Sequence, residues 1–266
     1  METQEADHLP WVEKYRPQSL DDVLAHQHII TTIDRLIESN SLPHLLFYGP
    51  PGTGKTTTIL AIARKLFGSN LSPMVLELNA SDDNGIDIVR NRIKTFAGAD
   101  KLFSKGIKLI ILDEADNLSS DAQSALRRVI EKYSSRTRFC LICNYVSKII
   151  PAIQSRCTRF RFAPLEQKEM TNRITEIAAL EKCEVTEDGL AALLKLSEGD
   201  MRRILNIMQA CVMAFPKVDE DTVYNTTGKP HPKDIATILE SLLNDSYQQA
   251  YDKVRRAVQL NWHCLM

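Results

Sequence analysis

The sequence predicts an α/β domain with a parallel β-sheet, followed by a smaller domain built of helices. Up to Pro164, short apolar runs alternate with helical stretches. Some of these runs, such as residues 109–112, are apolar without interruption, which is typical of strands covered on both faces of a sheet. Beyond Pro164, amphipathic helical stretches follow one another with no strand between them. These observations predict a three-layer α/β domain and then an all-helical one.

The predicted elements follow from the spacing of apolar residues and from the Gly and Pro residues between them. The five predicted strands span residues 42–49, 74–80, 107–114, 138–145 and 158–163. The predicted helices span residues 56–67, 86–96, 120–132, 148–154, 166–181, 187–196, 201–215, 234–243 and 247–258. We therefore divide the chain into a disordered N-terminus (1–8), an α/β domain (9–163), a helical domain (164–228) and a further helical segment (229–266).

The composition of the 266-residue chain is that of a globular protein, with 44% hydrophobic and 25% charged residues. No apolar stretch is long enough to suggest a membrane span, and the acidic N-terminus does not resemble a secretory signal. The formal net charge is −1. Because bulk positive charge is missing, any contact with DNA must come from a local basic face.

Two of the six cysteines, Cys140 and Cys143, form a C-x-x-C pattern that could indicate zinc or redox chemistry. They lie in a predicted strand, where side chains three positions apart point to opposite faces. No second pair with metal-ligand spacing accompanies them. We therefore predict buried structural thiols in a reducing compartment.

Residues 49–56 read G-P-P-G-T-G-K-T and fit G-x-x-x-x-G-K-[ST], the phosphate-binding loop. The glycines allow backbone N–H groups to face phosphate oxygens, Lys55 adds positive charge, and the Thr56 hydroxyl can bind Mg²⁺. The loop follows an apolar run and opens a helix, as the motif requires. The chain is predicted to bind a nucleoside triphosphate through Gly49, Pro50, Pro51, Gly52, Thr53, Gly54, Lys55, Thr56 and Thr57.

The third predicted strand ends in the acidic residues of Asp113-Glu114-Ala115-Asp116. A carboxylate at the end of such a strand lies beside the nucleotide, where Asp113 can hold Mg²⁺ and Glu114 can orient the attacking water. The same letters occur in DEAD-box RNA helicases, but the chain lacks the length and the strands for a second domain of that class. Asn144, after the fourth strand, can hold a water or a γ-phosphate oxygen, although such an Asn is more often a turn residue.

Several segments occur in an order typical of one family. They are LPWVEKYRP at residues 9–17, the phosphate loop, LNASD at 78–82, the acidic strand end, SRC at 155–157 and GDMRR at 199–203. This set resembles the small subunits of replication factor C, the eukaryotic sliding-clamp loader of the AAA+ class. The resemblance covers roughly residues 9 to 245. It implies an AAA+ P-loop NTPase with a five-stranded parallel sheet, a helical lid domain and the start of a helical collar.

The resemblance also implies roles for residues whose local pattern is ambiguous. Asn144 would be sensor 1, which reports the γ-phosphate, and Arg202 would be sensor 2, which reaches the nucleotide from the lid. Arg156 would be an arginine finger that acts in trans on ATP bound by a neighbouring subunit. The residues implied to line the adenine pocket are Val12, Tyr15, Arg16 and Pro17.

Cofactors, partners and location follow from the same resemblance. It implies ATP with Mg²⁺, a DNA-stimulated ATPase active in a hetero-pentamer of replication factor C subunits, and a nuclear location. The other partners would be the sliding clamp, proliferating cell nuclear antigen, and primer–template DNA. The DNA contacts would be sequence-independent. Our candidates for them are Arg90 and Lys94, four apart on one helix, and Lys148 at the start of another.

One departure and two alternatives accompany this interpretation. The family continues into a C-terminal collar domain, whereas this sequence stops soon after the predicted start of the collar, so we expect a shortened chain. The first alternative is a non-catalytic ATP-binding adapter in the same complex. The second is another AAA+ DNA-remodelling ATPase, such as an origin-recognition ATPase or a branch-migration motor.

Overall fold

The computed structural model describes residues 9–20, 22–23, 25–81, 86–99 and 107–261, except for the side chains of 69, 86–90 and 256–261. Contacts divide the chain into two compact units. The α/β unit is Arg16–Glu166, and the helical unit combines the described residues before Arg16 with those after Glu166. The predicted disordered N-terminus, residues 1–8, lies outside the described residues.

The α/β unit is built on a five-stranded sheet in which every neighbouring pair is parallel. The strand order is β2-β3-β4-β1-β5. The strands are β1 (His44–Tyr48), β2 (Val75–Asn79), β3 (Lys108–Asp113), β4 (Thr137–Cys143) and β5 (Cys157–Arg161). The predicted parallel five-stranded sheet is therefore confirmed. Strand ends differ from the predicted ones by one or two residues, and β4 and β5 begin one residue earlier than predicted.

Helices cover the sheet between its strands. They are α2 (Gln27–Glu38), α3 (Lys55–Phe67), α4 (Leu71–Met74), α5 (Ile86–Gly98), α6 (Ser120–Tyr133) and α7 (Pro151–Gln154), while α1 (Trp11–Lys14) belongs to the helical unit. Three-residue 3₁₀ turns lie at Gly68–Asn70, Ala115–Asn117 and Val146–Lys148.

Alternate strand residues pack into two separate apolar cores, as expected for a sheet covered on both faces. Cys140 lies in one core and Cys143 in the other, and both are almost fully buried. Burial raises the pKa of the Cys140 thiol well above its usual range and that of Cys143 to about 12. Both cysteines are therefore protonated core residues, which confirms their predicted burial and does not fit metal or redox chemistry.

Helix α2 and the start of α7 differ from the prediction, as do the short helices α1 and α4, which were not predicted. Helix α2 was not predicted, because its β-branched run suggests a strand and His26 precedes it with no capping hydrogen bond. Burial of Ile29, Ile30 and Ile33 stabilises it. The helix predicted over 148–154 begins only at Pro151, since the residue before a proline is held extended. Lys148 therefore ends a 3₁₀ turn and does not start a helix.

The helical unit comprises α8 (Gln167–Leu180), α9 (Glu187–Ser197), α10 (Met201–Ala214), α11 (Glu220–Thr227), α12 (Pro232–Asn244) and α13 (Tyr247–Asn261). It also holds a short parallel ladder between β6 (Glu184–Val185) and β7 (Lys217–Val218), so the prediction of no strands here is wrong. Two-residue strands are too short to show alternation. Gly189 allows this ladder to lie close to α9, because a Cβ there would lie 2.3 Å from the Val218 carbonyl oxygen.

The N-terminal helix α1 packs within the helical unit. Trp11 is buried, and its backbone N–H donates to Gln209 Oε1 at 3.1 Å. The predicted boundaries assign residues 9–15 to the α/β domain, whereas these contacts belong to the helical unit. A buried tryptophan on a four-residue helix explains the difference, because α1 gains its apolar contacts from α10. Within the described ranges, no helix combines the length and the apolarity needed to cross a bilayer.

Candidate active site

The polar residues predicted for catalysis follow three adjacent strands. In the order β3-β4-β1, Asp113 ends β3, Asn144 follows β4, and the phosphate loop follows β1. The carboxyl ends of parallel strands meet at one edge of a sheet, where open α/β folds bind their ligands. The topology therefore brings these predicted residues to one place.

The phosphate loop has a backbone that needs glycine at three positions. The φ angles of Gly49, Gly52 and Gly54 are 148°, 68° and 90°. At Gly49 a Cβ would also lie 2.0 Å from the Phe162 carbonyl oxygen. Thr53 is buried and donates through Oγ1 to the Pro50 carbonyl oxygen at 2.9 Å. The sequence of the loop thus specifies its curled shape, which directs backbone N–H groups to one side.

Lys55, the first residue of α3, is the buried cation of the site, only 7% exposed. Its ammonium group donates to the carbonyl oxygens of Gly49 at 2.7 Å and Pro50 at 2.8 Å. It also donates to Asn144 Oδ1 at 3.1 Å. The lysine therefore joins the phosphate loop to the end of β4. Pro51 is exposed at the tip of the loop, and Thr57 is half-buried on α3.

Thr56 and Asp113 are in direct contact, since Thr56 Oγ1 donates to Asp113 Oδ2 at 2.7 Å. Hydroxyl and carboxylate oxygens are the ligands that Mg²⁺ prefers. Their close approach beside a phosphate loop fits the predicted magnesium position. The other Asp113 oxygen, Oδ1, accepts the backbone N–H of Glu114 at 2.8 Å, which fixes the orientation of the carboxylate.

Glu114 adopts a left-handed backbone conformation with φ of 52°. For a residue other than glycine this conformation costs about 1–2 kcal/mol. Its half-buried carboxylate accepts a hydrogen bond from Asn117 Nδ2 at 2.9 Å. Asn117 was not predicted as part of the site. Its position three residues after Glu114 in an acidic turn is the only sequence signal of this contact.

Asp116 is a second residue that the sequence interpretation missed. It lies in the turn after β3, and its Oδ2 accepts the backbone N–H groups of Asn144 at 3.3 Å and Tyr145 at 3.1 Å. The carboxylate therefore ties the turn after β3 to the residues that follow β4. Asp113, Glu114 and Asp116, at the acidic end of β3, thus each contact different partners.

Arg156 lies at the amino-terminal ends of the strands, whereas the phosphate loop lies at their carboxyl-terminal ends. It directly precedes β5, whose first residue Cys157 pairs with His44 at the start of β1. Four residues of strand, about 13 Å at 3.3 Å each, separate His44 from Tyr48, the residue before the phosphate loop. The guanidinium lies 2.5 Å from Glu131 Oε1 and donates to the Ala152 carbonyl oxygen at 2.5 Å. Arg156 is therefore remote from the phosphate loop of its own chain.

Arg202 lies in the helical unit, in the first turn of α10. The Asp200 carboxylate caps this helix by accepting the N–H groups of Arg202 at 2.9 Å and Arg203 at 3.3 Å. The cap fixes where α10 begins and leaves Arg202 exposed. The predicted role of Arg202 as sensor 2 stays a prediction.

The residues predicted for the adenine pocket fall into both units. Val12 and Tyr15 belong to the helical unit, and Arg16 and Pro17 to the α/β unit. The Tyr15 hydroxyl donates to Glu181, which also accepts from Lys14 Nζ at 2.8 Å. Burial and the Glu181 carboxylate raise the pKa of Tyr15 to about 12. These contacts fix the Tyr15 side chain within the helical unit, and the role of all four residues stays a prediction.

The predicted DNA contacts are exposed where the structure describes them. Lys94 is exposed on α5, and Arg90 lies on the same helix with its side chain outside the described part. Lys148 is exposed, with Nζ 5.3 Å from the ring centre of the exposed Tyr145. Accessible cations are a requirement for phosphate contacts, and their role stays a prediction.

The fold and the site together define an ATPase of the AAA class. Residues 45–165 match the family described as "ATPase family associated with various cellular activities (AAA)". The chain is 59% identical over 247 residues to replication factor C subunit 5 of Homo sapiens, covering 92% of this chain and 73% of that protein. It is 52% identical over 264 residues to replication factor C subunit 3 of Saccharomyces cerevisiae, covering 96% and 78%. The chain belongs to the replication factor C subunit family.

Among solved structures, the chain resembles the RuvB Holliday junction branch migration motor of Thermotoga maritima. The TM-score is 0.62 with 19% sequence identity, and the match covers 86% of this chain and 80% of that one. At this level of identity the likeness shows a shared fold alone.

Proposed function

We propose that this chain is an ATP-binding and ATP-hydrolysing subunit of a clamp loader, which opens a sliding clamp and loads it onto primer–template DNA during replication and repair. Membership of the replication factor C subunit family supports this function. The partners would be other replication factor C subunits in a hetero-pentamer, the clamp known as proliferating cell nuclear antigen, and DNA. The nucleus is the compartment in which these partners meet.

The observation that carries the proposal is the junction of the phosphate loop with the ends of β3 and β4. Lys55 contacts both the loop and Asn144, and Thr56 contacts Asp113. A triphosphate bound by the loop would therefore have Lys55 at its β- and γ-phosphates and Asn144 beside the terminal phosphate. This arrangement favours ATP hydrolysis over simple nucleotide storage.

Thr56 and Asp113 are the residues that would hold Mg²⁺. Bound there, the ion would neutralise charge on the β- and γ-phosphates. The hydrogen bond from the Glu114 N–H to Asp113 fixes the carboxylate that would face the ion. The two side chains supply hard oxygen ligands from two adjacent elements, α3 and β3.

Glu114 would orient the attacking water and accept its proton. Its carboxylate is half-buried next to Asp113, and its strained backbone fixes the direction in which the side chain leaves the strand. Asn117 holds the carboxylate at 2.9 Å, and this hydrogen bond would have to yield for Glu114 to reach a water. The presence of this glutamate supports an active site and weighs against the adapter alternative.

Arg156 would complete the active site of a neighbouring subunit. Its position before β5, at the edge of the sheet opposite the phosphate loop, supports action in trans. An arginine in this role stabilises the charge of the transferring phosphoryl group. This raises the rate of hydrolysis by about 10³–10⁵-fold. The isolated chain is therefore expected to hydrolyse ATP slowly and the assembled complex to hydrolyse it faster.

The test replaces Glu114 by Gln in the assembled complex and follows ATP binding and DNA-stimulated hydrolysis. The Gln variant should bind ATP normally and lose turnover, since its amide cannot accept a proton. Glu77→Gln on β2, an exposed glutamate outside the site, is the matched control and should behave as the unmodified chain. Unchanged turnover with Glu114→Gln would favour the non-catalytic adapter.

A further inference from the structure

The carboxylate of Asp116 occupies an unusual place among the acidic residues that end β3. Its Oδ2 accepts two successive backbone N–H groups, those of Asn144 at 3.3 Å and Tyr145 at 3.1 Å. Asp116 itself belongs to the 3₁₀ turn Ala115–Asn117. One oxygen atom therefore links the turn after β3 to the first two residues after β4.

This link determines where the side chain of Asn144 can lie. Asn144 is exposed and follows the last residue of β4, so the sheet ladder does not hold its backbone. Among the described residues, the hydrogen bond of its side chain is the one that Lys55 donates to Oδ1 at 3.1 Å. A turn residue with so few hydrogen bonds of its own keeps a defined position only if a residue from another element holds its backbone. Asp116 supplies that restraint.

The charge of Asp116 makes it suited to this task. Hydrogen bonds from backbone N–H groups to a carboxylate are roughly twice as strong as those to a neutral acceptor. The charge also reaches the end of β4, where Asp116 adds to the effect of burial in raising the pKa of Cys143. Asp116 is linked to the phosphate loop through Asn144 and Lys55, so we assign it no direct contact with a bound nucleotide.

We propose that Asp116 is a positioning residue for ATP hydrolysis, which holds the amide of Asn144 against Lys55 at the γ-phosphate position. This inference rests on the proposed function, because it requires Asn144 to act on the terminal phosphate. It assigns Asp116, the last acidic residue of the turn, a role that differs from those of Asp113 and Glu114. Removing the carboxylate should impair turnover and leave ATP binding by the phosphate loop intact.

The experiment compares Asp116→Ala and Asp116→Asn in the assembled complex, with DNA-stimulated turnover and ATP affinity measured separately. Asp116→Ala should lower kcat about tenfold, equal to about 1.4 kcal/mol in the activation barrier, with KM changed less than about twofold. Asp116→Asn keeps an oxygen for both N–H groups but not the charge, so it should restore part of the kcat that Asp116→Ala loses. Asp121→Ala, in the exposed first turn of α6, is the control and should leave both parameters unchanged.

A double-mutant cycle separates positioning from a general loss of structure. If Asp116 acts through Asn144, then Asp116→Ala should lower kcat in the unmodified chain but not in an Asn144→Ala background. Equal losses in both backgrounds would overturn the proposal, and so would unchanged kcat in Asp116→Ala. If Asn144→Ala itself left turnover unchanged, the proposed role of Asn144 would fail, and the inference with it.

The thermal unfolding midpoint of each variant, compared with that of the unmodified chain, shows whether the substitution has disturbed the fold. If Asp116→Ala lowers the unfolding midpoint, Asp116→Ser replaces it, because serine keeps a polar group in the turn but is too short to reach the two N–H groups. The serine variant should show the same fall in kcat and the same unchanged KM. A serine variant with normal kcat would overturn the proposal.

Discussion

The stability of the chain should fall in mild acid because of His44, the first residue of β1. The imidazole is half-buried against Phe139, and its Nδ1 accepts the Phe139 backbone N–H at 3.2 Å. Burial, and then the positive charge of Arg138, lower the pKa of His44 from 6.5 to about 4. Protonation removes the acceptor and places a charge beside a guanidinium, so the neutral form is the one compatible with the fold.

The size of the effect follows from these two pKa values. A group whose pKa is lowered by folding stabilises the protein above its unfolded pKa and loses this contribution as the pH falls through the folded one. For His44 the window is therefore pH 6.5 down to about 4. Acidification to about pH 5 would cost about 2 kcal/mol for a fully enclosed group, and about 1 kcal/mol after allowance for partial exposure.

The assay is urea unfolding of the purified chain at about pH 7.5 and about pH 5, for the unmodified protein and for His44→Gln. Glutamine can still accept the Phe139 N–H but does not titrate, so the variant should lose about 1 kcal/mol less between the two pH values. His28→Gln, an exposed histidine on α2, is the control and should behave as the unmodified chain. Equal losses with and without His44 would refute the reasoning.

Three further substitutions test other parts of the structure. Lys55→Ala should weaken ATP binding about 100-fold or more, because it removes the charge on the phosphates. Equilibrium binding measures this, and Lys65→Ala, an exposed lysine on the same helix, should have no effect. Arg156→Ala should leave the chain's own ATP affinity unchanged but lower turnover of the assembled complex at the neighbouring site, by about 10³-fold; Arg159→Ala is the control, and a fall in the chain's own affinity would contradict action in trans. Gly49→Ala should cost more than about 3 kcal/mol of unfolding free energy, since the new Cβ meets the Phe162 backbone. Gly98→Ala, whose Cβ would meet only Tyr133 Oη at 3.8 Å, should be neutral or slightly stabilising in the same denaturation assay.

The sheet and the phosphate loop could be predicted because their signals are local. A run such as residues 109–112 can be buried only in a covered sheet, and Gly49, Gly52 and Gly54 occupy positions where other residues would be strained. Helix α2 could not be predicted, because its β-branched sequence favours a strand until burial of its isoleucines is considered. Tertiary packing outweighs local propensity at such positions.

The candidate active site was predictable in its residue types but not in its internal contacts. Lys55, Thr56 and Asp113 belong to motifs with a fixed chemistry, and the structure brings them together. The hydrogen bonds made by Asp116 and Asn117 depend on how two turns are placed relative to each other, which residue spacing does not contain. The same holds for Tyr15, whose hydroxyl meets Glu181 more than a hundred residues later.

Arg156 and the phosphate loop lie at opposite ends of the strands, which has a consequence for how such chains can associate. The phosphate loop follows the carboxyl end of β1, and Arg156 precedes the amino end of the neighbouring strand β5. If Arg156 acts in trans as proposed, each loop takes its arginine from another chain. Copies or relatives joined in this way associate head to tail, unlike a two-fold dimer in which the same patch meets itself. In a row that does not close into a ring, one terminal loop has no arginine and one terminal arginine has no loop. Such an assembly would contain one fewer complete active site than it has subunits.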